Sequence, residues 1–310
     1  MNPQLLYSYI IVNYNLAESV VELVNSIFLL PSSNNAEVII IDNASRDVAE
    51  LEVFVSASIF TSKLQLFRNT SNLGFGAACN IGAEKALGEY LIFINPDSLI
   101  NSDFIPYLKE RFRENPKLGI AGVASGKVTN RFDFSAGFFP SILFELFQLF
   151  YLGRYLEAFL VKQKHKALKS RDYLIVDWVL GAFLFIRNTD FKAIGGFDKR
   201  FFIFFEEMDL CKKIKLSEKE VQYFPNLVLN HEGSKVVSRD YEFFTYHFTL
   251  SKYLFLGKHF AGVKVFVLKL LLFFSILTQT ITILPGLIKS KPKAIQKFKG
   301  FSKFILRGKV

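Results

Sequence analysis

The stretch Tyr90–Ser98, with the sequence YLIFINPDS, constrains the fold of this chain most strongly. Its first part, Tyr90–Ile94, is an apolar run that follows a glycine and leads into a proline turn, which is typical of a strand buried on both faces. Pro96 cannot donate a backbone hydrogen bond and has a fixed φ, so the strand ends before it. The sequence therefore predicts a central strand with Asn95 and Asp97 at its carboxyl end.

The Asn95-Pro96-Asp97 turn has two interpretations. Two oxygen-bearing side chains on either side of a rigid proline can point together at a hard divalent cation, Mg²⁺ or Mn²⁺, that carries a diphosphate. The same tripeptide is also ordinary turn chemistry. Ligands of open α/β sheets bind at the carboxyl ends of the strands. The turn is predicted at such an end, and this position favours the cation-binding interpretation.

An alternation of strands and helices surrounds this central strand. The predicted order is strand Tyr7–Asn13, helix Ala17–Leu30, strand Glu37–Ile41, strand Leu64–Phe67, helix Ala77–Leu87, the strand at Tyr90, helix Asp103–Glu114 and strand Leu118–Val123. Short connections between such elements favour a parallel sheet with right-handed crossovers. The sequence therefore predicts an α/β domain, which we place over residues 1–240.

Polar residues follow several of these strands and are expected to share one crevice. Asp42 follows the second strand, the turn Asn72–Gly76 follows the third, and Asn95 and Asp97 follow the central one. Asp42 can accept a hydrogen bond from the imide N–H of a uracil or thymine base, and glycines let the backbone approach a ligand closely. Each signal is weak alone, because an aspartate after a strand is usually a cap or turn residue.

Carboxylates also follow an apolar run later in the chain. The acids Glu206, Glu207 and Asp209 lie at the start of a predicted helix, directly after an apolar run, in the stretch Phe201–Asp209 with the sequence FFIFFEEMD. Acids in a first turn are favourable with the helix macrodipole, which is a sufficient structural explanation. The functional alternative is that a rigidly held carboxylate takes a proton from an attacking hydroxyl, and that adjacent acids raise each other's proton affinity.

Two further features are candidates for the same crevice. The apolar stretch Val176–Arg187 predicts a buried strand region that is interrupted at Gly181-Ala182, where small residues can admit a ligand. His231 follows a predicted strand and can serve as a third protein ligand of a metal held by Asp97, although a lone histidine is more often a structural hydrogen-bonding residue.

The charge of the chain is concentrated at its carboxyl end. From Tyr241 onward there are twelve Lys and Arg residues against the single acid Glu242, whereas the preceding residues carry 26 basic and 27 acidic side chains. This asymmetry argues against a nucleic-acid surface on the main domain. The two cysteines lack a paired spacing, so a disulfide framework and an oxidising compartment are not expected. The amino terminus reads as a strand, and a signal peptide is not expected either.

The region 241–310 is predicted to be a basic, hydrophobic helical appendage that associates with an anionic membrane surface. Leu270–Ile288 holds nineteen positions without a charge, but Gln279, several hydroxyl residues and Pro285-Gly286 weaken a spanning assignment. We expect peripheral or re-entrant association, and the alternative is a core helix pair with a solvated tail. The region Phe132–Leu160 is aromatic and irregular, and its part Ser141–Leu160 is expected to form a helix that is packed or lies at an interface.

Seven ordered blocks resemble the family 2 glycosyltransferases, and in particular the bacterial rhamnosyltransferase branch. They are IIVNYN at Ile10, VIIIDNAS at Val38, NLGFGAACNIG at Asn72, FINPD at Phe93, DWVLGAFLFIR at Asp177, GGFDKRFFIFFEEMDLCKK at Gly195 and HEGS at His231. The likeness covers roughly residues 7–238. It implies a Rossmann-like GT-A fold, with a mostly parallel sheet and flanking helices, that transfers a sugar from a nucleotide diphosphate with inversion.

The resemblance also implies roles for individual residues. Asp97 is the expected metal ligand and His231 completes the metal or diphosphate site, while Glu207 falls at the position of the catalytic base. Glu206 lies beside this base and Asp209 supports it. The positions implied for nucleotide-sugar binding are Asn13, Asp42, Asn72, Gly74, Asn95, Trp178, Gly181 and Ala182.

The sequence departs from the family pattern at two positions. Asn95 replaces a first aspartate, which weakens cation affinity, and Glu207 replaces an aspartate, which leaves the base assignment open between Glu206 and Glu207.

The expected partners follow from the resemblance. They are a dTDP-rhamnose or UDP-sugar donor and a polyprenyl-diphosphate-linked glycan acceptor at the cytoplasmic face of the bacterial plasma membrane. Homo-oligomerisation is left open. The alternative functions are a nucleotidyltransferase and a non-catalytic membrane scaffold. A scaffold with a degenerate domain would have lost the acids of the crevice, whereas Asp42, Asp97 and Glu207 are all present.

Overall fold

The computed structural model describes residues 5–126, 135–150, 152, 159, 172–231 and 240–307. The chain divides into two compact units, one drawn from residues 1–137, 168–200 and 206–233 and the other from residues 138–167, 201–205 and 234–310. The second unit thus contains residues 138–167, 201–205 and 234–240, which the division after residue 240 assigned to the first domain. The functional boundary at residue 240 stays a prediction.

The helices and strands follow one another along the chain. The first half contains β1 (Tyr7–Asn13), α1 (Ala17–Phe28), β2 (Ala36–Asp42), α2 (Val48–Ala57), β3 (Leu64–Arg68), α3 (Phe75–Lys85), β4 (Tyr90–Ile94), β5 (Ser98–Leu99), α4 (Ile105–Glu114) and β6 (Leu118–Ser125). The second half contains β7 (Ala136–Gly137), α5 (Ile142–Leu149), β8 (Leu174–Val176), β9 (Trp178–Val179), β10 (Phe183–Arg187), α6 (Asn188–Ala193), α7 (Glu206–Leu216), β11 (Glu220–His231), α8 (Tyr241–His259), α9 (Gly262–Ile288) and α10 (Pro292–Arg307).

The main sheet of the first unit has the order β3-β2-β1-β4-β10-β6-β11-β5, and β8 also pairs with β11. The pairs β1–β2, β1–β4 and β2–β3 are parallel, as the alternation of strands and helices predicts. Strand β10 runs antiparallel to both β4 and β6, so the complete sheet is mixed. The reversal arises because the chain enters β10 at the end of the sheet where β4 stops.

Helices cover both faces of the sheet. In β1, Tyr9 and Ile11 join the same buried cluster as Val20 and Leu23 of α1. Ile10 points to the other face, where a Cβ on Gly82 of α3 would meet its Cγ2 at 2.5 Å. Every residue of β1 and β2 is buried, which explains their nearly continuous apolar sequences. The predicted α/β class of this unit is confirmed.

Several boundaries differ from the sequence prediction. Helix α3 begins at Phe75 instead of Ala77, directly after Gly74. The residues before His231 predict two short strands, Val221–Phe224 and Leu227–Leu229. In the structure they form the single strand β11, whose pairing with β6 shifts between Phe224 and Val228. Pro225 lies in this shift, and its missing N–H explains why the ladder is irregular there. The two cysteines are buried and free, as predicted.

The second unit has an apolar core formed by its carboxyl-terminal helices. Leu256 of α8, Leu268, Leu272 and Ile276 of α9, and Phe301 of α10 form one buried cluster. Of the helix predicted over Ser141–Leu160, α5 covers Ile142–Leu149, and most of the remainder lies outside the described residues. In the described part of the chain, α9 is the one helix long and apolar enough to cross a membrane by length and composition.

Two helical glycines of this unit give opposite predictions. A Cβ on Gly300 of α10 would lie 2.7 Å from Thr245 Cβ and 2.8 Å from the Glu242 carbonyl oxygen, so the two helices must separate in Gly300→Ala. We expect this variant to lower the free energy of unfolding by about 1–3 kcal/mol. In Gly257→Ala the new Cβ meets only the end of the Lys269 side chain at 3.1 Å.

The matched Gly257→Ala variant should therefore be neutral or more stable by up to about 1 kcal/mol, because alanine has the better helix propensity. Denaturant unfolding of both variants checks the pair. Equal effects of the two substitutions would contradict the close packing of α10 on α8.

Candidate active site

Asn13 and Asp42 lie side by side at the carboxyl ends of β1 and β2. The parallel register pairs these two residues, and Asn13 Nδ2 donates to Asp42 Oδ1 at 2.9 Å. The other carboxylate oxygen accepts from the Ser45 backbone N–H at 3.1 Å. Asp42 is only 1% exposed, so this charge is held rigidly inside the strand ends. Its predicted contact with a base stays a prediction, and its oxygens retain acceptor capacity for one.

Asn43 is a residue that the sequence analysis missed. Its Nδ2 donates to Asn72 Oδ1 at 2.8 Å and to the Gly74 carbonyl oxygen at 3.2 Å. Its Oδ1 accepts from Asn69 Nδ2 at 3.0 Å and from the Leu73 backbone N–H at 3.1 Å. All four bonds fasten the turn after β3 to the end of β2. The only signal in the sequence was an asparagine next to Asp42, which also fits a simple turn.

The predicted turn Asn72–Gly76 forms the start of α3. Gly74 has φ 86° and ψ 167°, a conformation that a residue with a side chain adopts only under strain, and its N–H donates to Asn72 Oδ1 at 3.0 Å. A Cβ on Gly76 would lie 3.4 Å from the Cβ of Glu206. The first turn of α3 therefore packs against the first residue of α7.

Asn80 of α3 is a second residue that the sequence analysis missed. Its Nδ2 donates to the Phe197 carbonyl oxygen at 2.9 Å, and its Oδ1 accepts from the Phe197 N–H at 2.8 Å. The asparagine is buried and completes both backbone bonds of that residue. It fixes the loop that precedes the acidic helix against α3.

The end of β4 meets the start of β10. Ile94 is paired with Phe183, and the Asn95 N–H donates to the Ala182 carbonyl oxygen at 3.1 Å. A Cβ on Gly181 would lie 3.5 Å from the Cβ of Glu207 and 3.9 Å from its carboxyl carbon. The structure thus brings together four of the predicted site residues at one joint of the sheet. Trp178 lies shortly before this joint, in β9, where it is paired with Gly137 of β7.

Glu206 and Glu207 form an acidic pair at the start of α7, in which Glu206 is buried and Glu207 is partly exposed. One carboxylate oxygen of each, Oε2, is buried and has no hydrogen-bond partner within the described part of the chain. Burial, followed by the neighbouring Glu207, raises the pKa of Glu206 well above its usual range. Burial raises the pKa of Glu207 to about 7. Asp209, two residues after Glu207, is fully buried, and its Oδ2 lies 4.0 Å from Lys213 Nζ.

Asp97 and His231 are brought to the same edge by strand pairing. Ser98, the residue after Asp97, is the register partner of His231, and Leu99 is the partner of Asn230. Asp97 lines a surface depression with Ser19, Glu22, Pro96, Ser98, Leu99 and Asn230.

The donor set at this edge fits a cation that is shared with a diphosphate. The described residues contain no group of three His, Cys, Asp or Glu side chains arranged to hold a metal on their own. Mg²⁺ is commonly bound through one or two carboxylates together with substrate phosphates, so a complete protein cage is not required. Asp97 has a carboxylate that can bind such a cation, and the strand register pairs His231 with the neighbouring Ser98.

The raised pKa of Glu207 gives a prediction for stability. Between pH 4.5 and about 7 the folded chain binds a proton that the unfolded chain has released, so stability falls as the pH rises through this window. We expect Glu207→Gln to raise the free energy of unfolding at pH 8 by about 2–3 kcal/mol, with little effect at pH 4.5. Denaturant unfolding at a series of pH values measures this difference.

The matched control is Glu50→Gln, which removes a carboxylate from the exposed surface of α2. It should leave the pH dependence of stability unchanged. Parallel curves for wild type and Glu207→Gln between pH 4.5 and 8 would contradict the buried, protonated state of this carboxyl.

The mixed sheet, its two layers of helices and the polar residues at its carboxyl edge define the fold class of the GT-A glycosyltransferases. A solved structure of this class is similar over most of the chain: the mannosyltransferase PcManGT from Pyrobaculum calidifontis in complex with GDP-Man and Mn²⁺. The TM-score is 0.61 at 14% identity, covering 98% of this chain and 88% of that one. The chain belongs to glycosyl transferase family 2, whose family model matches residues 8–168.

Two curated relatives are rhamnosyltransferases. The chain is 29% identical over 162 residues, 49% of this chain and 58% of the relative, to rhamnosyltransferase WbbL of Escherichia coli strain K12. It is 29% identical over 87 residues, 28% of each chain, to N-acetylglucosaminyl-diphospho-decaprenol L-rhamnosyltransferase of Mycobacterium tuberculosis strain CDC 1551 / Oshkosh. The chain therefore matches less than two thirds of the length of each. The resemblance inferred from the seven sequence blocks, including its rhamnosyltransferase-like branch, is confirmed.

Proposed function

We propose that this protein is an inverting glycosyltransferase that moves rhamnose from dTDP-rhamnose onto a polyprenyl-diphosphate-linked saccharide during assembly of a bacterial surface polysaccharide. The observation that carries the proposal is the acidic pair Glu206 and Glu207 beside Gly181 at the β4–β10 joint, because one carboxylate oxygen of each is buried without a partner among the described residues. The names of the two relatives support the choice of sugar, and the second name supports a lipid-linked acceptor. A UDP-sugar donor is the alternative.

Glu207 is the proposed base. A carboxyl with a pKa near 7 is divided between its acid and base forms at neutral pH, which suits a group that removes a proton from a hydroxyl. Glu206 is held protonated at this pH by its burial and by its neighbour, so it is a hydrogen-bond donor and not the base. We therefore propose Glu207 for the choice that the sequence left open. Asp209 supports the pair from the same helical turn.

The proposed reaction is a single displacement. The acceptor hydroxyl gives its proton to the Glu207 carboxylate, and its oxygen forms a bond to the anomeric carbon from the face opposite the diphosphate. The bond between that carbon and the diphosphate oxygen breaks, and the nucleoside diphosphate leaves with the electron pair. When bound, Mg²⁺ or Mn²⁺ neutralises the charge that develops on the leaving group.

The remaining predicted residues are proposed to hold the donor. Asp42, fixed by Asn13, lies at the base end of the crevice, and the Asn72–Gly76 turn offers backbone groups next to Glu206. Asn95, Ala182 and Gly181 form the joint that the sugar passes, with Trp178 nearby in β9. Asp97 and His231 are proposed to hold the cation and the diphosphate. A soluble donor and a lipid-linked acceptor together place the enzyme at the cytoplasmic face of the plasma membrane.

The first test is sugar transfer by the purified full chain, supplied with Mg²⁺ or Mn²⁺ and a polyprenyl-diphosphate-linked acceptor. We expect dTDP-rhamnose to be consumed in preference to UDP-sugars. Glu207→Gln and Asp97→Ala should each lower kcat by at least about a hundredfold, because they remove the base and a cation ligand. The exposed control Glu50→Gln should retain wild-type activity.

The pH dependence separates the two acids. Activity of the wild type should rise with pH through about 7 as Glu207 ionises, and Glu206→Gln should leave this midpoint in place because a neutral amide replaces a carboxyl that is already protonated. Consumption of a UDP-sugar alone would overturn the choice of rhamnose. Failure of every nucleotide sugar to bind or react would overturn the catalytic proposal.

A further inference from the structure

We propose that the second unit carries a monotopic membrane-binding face, built from α5 and α9 and directed at an anionic lipid surface. We call it the α5–α9 face and define it by the outward apolar side chains Leu143, Leu146 and Phe150 at α5 and Phe266, Phe273, Leu277 and Ile281 of α9. It extends beyond the predicted carboxyl-terminal appendage, because α5 lies about a hundred residues earlier in the chain. The proposal does not depend on which sugar the first unit transfers.

Helix α5 has its polar side inside and its apolar side outside. Glu145 is completely buried and accepts a hydrogen bond from Lys252 of α8 at 2.7 Å, with Lys252 only 8% exposed. On the outer side, Leu143 is 59% exposed and Leu146 is 41% exposed, and Phe150 directly after the helix is 73% exposed. A helix on a water-facing surface normally has the opposite arrangement. The orientation is explained if hydrocarbon, and not water, covers the outer side.

Helix α9 continues this surface, since α5 and α9 pack against each other. Its inner side buries Leu268, Leu272 and Ile276 in the core of the unit. Its outer side presents a row of exposed large apolar residues at intervals of three or four positions, which is one face of a helix: Val263, Phe266, Leu270, Phe273, Phe274, Leu277, Ile281, Leu284 and Ile288. A row of this length exceeds the scattered apolar residues of an ordinary protein surface and marks an interaction site.

The charge of this unit identifies the occupant as an anionic lipid surface. After Glu242 the chain contains no acidic residue, whereas the link to α10 and α10 itself carry Lys289, Lys291, Lys293, Lys297, Lys299, Lys303 and Arg307. Lysines beside an apolar face favour anionic headgroups. A second copy of this chain fits the face less well, because two such basic edges would repel each other.

The packing of α10 favours a helix that lies in the membrane plane. Helix α10 returns along α9 after a short link, and a Cβ on Gly286 would lie 2.8 Å from the Cβ of Ala294. If α9 crossed the bilayer, α10 and its lysines would be carried into the hydrocarbon, where each charge is strongly unfavourable. With α9 in the plane of the interface, its outer row enters the lipid and the lysines remain at headgroup level.

The test is flotation of the full chain with vesicles of phosphatidylglycerol and phosphatidylethanolamine, compared with vesicles of phosphatidylcholine. We expect binding to the anionic vesicles that weakens with added salt. Leu146→Glu on α5 and Phe266→Glu on α9 should each lower the fraction bound at least tenfold. The matched control is Ile59→Glu, an exposed apolar residue of the first unit at 89% exposure, which should bind like wild type.

A second set of variants tests the charge. Replacing Lys289, Lys291 and Lys299 with glutamine should lower binding to anionic vesicles by roughly fivefold for each lysine and leave the weak binding to phosphatidylcholine unchanged. Circular dichroism and thermal unfolding of every variant verify that the fold is intact.

Three outcomes would overturn the proposal. One is equal binding of Leu146→Glu and wild type, because α5 would then be outside the face. Another is a chain that resists extraction from vesicles by alkaline carbonate, because an interfacial helix is released whereas a spanning helix is retained. The third is a dimer in light scattering that Phe266→Glu dissociates while lipid binding persists, because the face would then be an interface between copies of the chain.

Discussion

The antiparallel pairing of β10 with β4 is the constraint on which the candidate site depends. It makes Phe183 the partner of Ile94 and joins the Asn95 N–H to the Ala182 carbonyl oxygen, so that the Asn95-Pro96-Asp97 turn and the Gly181-Ala182 segment meet at the same point. A Cβ on Gly181 would be in van der Waals contact with the Glu207 side chain. A shift of one residue in this register would invert the faces of β10 and separate the two loops. The chemistry of the site is therefore a consequence of strand pairing.

Placing two carboxyl groups in this joint is unfavourable, and the surrounding structure offsets the cost. Both acids lie in the first turn of α7, where the positive end of the helix dipole favours negative charge. The two residues before the helix, Phe204 and Phe205, have φ of 67° and 65°, which is strained for bulky side chains. Their rings contact Phe244, Phe248 and Phe255 of α8, at centroid distances of 5.2–5.9 Å, and these contacts stabilise the strained backbone.

The sequence was sufficient for those features that depend on local pattern. The strands at Tyr7, Ala36 and Tyr90 are almost continuously apolar because they are buried on both faces, so their existence and their polar ends could be predicted. The antiparallel direction of β10 and the roles of Asn43 and Asn80 could not, because they depend on partners distant in the chain. Asn80, for example, binds the backbone of a residue 117 positions away, and nothing in its own helix indicates this.

The interpretation of Glu145 from the sequence differs from its interpretation in the structure, because only the structure identifies its partner. In the sequence it interrupts an apolar stretch and thereby weakens the prediction of a membrane span. In the structure it lies inside the second unit and binds Lys252, so the outer side of α5 remains entirely apolar. A buried ion pair of this kind adds little to net stability, because desolvation offsets the attraction, but removing one partner is strongly unfavourable. The pair therefore fixes which side of α5 faces outward, and an apolar helix that is interrupted by one inward charge is suited to lie on a membrane and not to cross it.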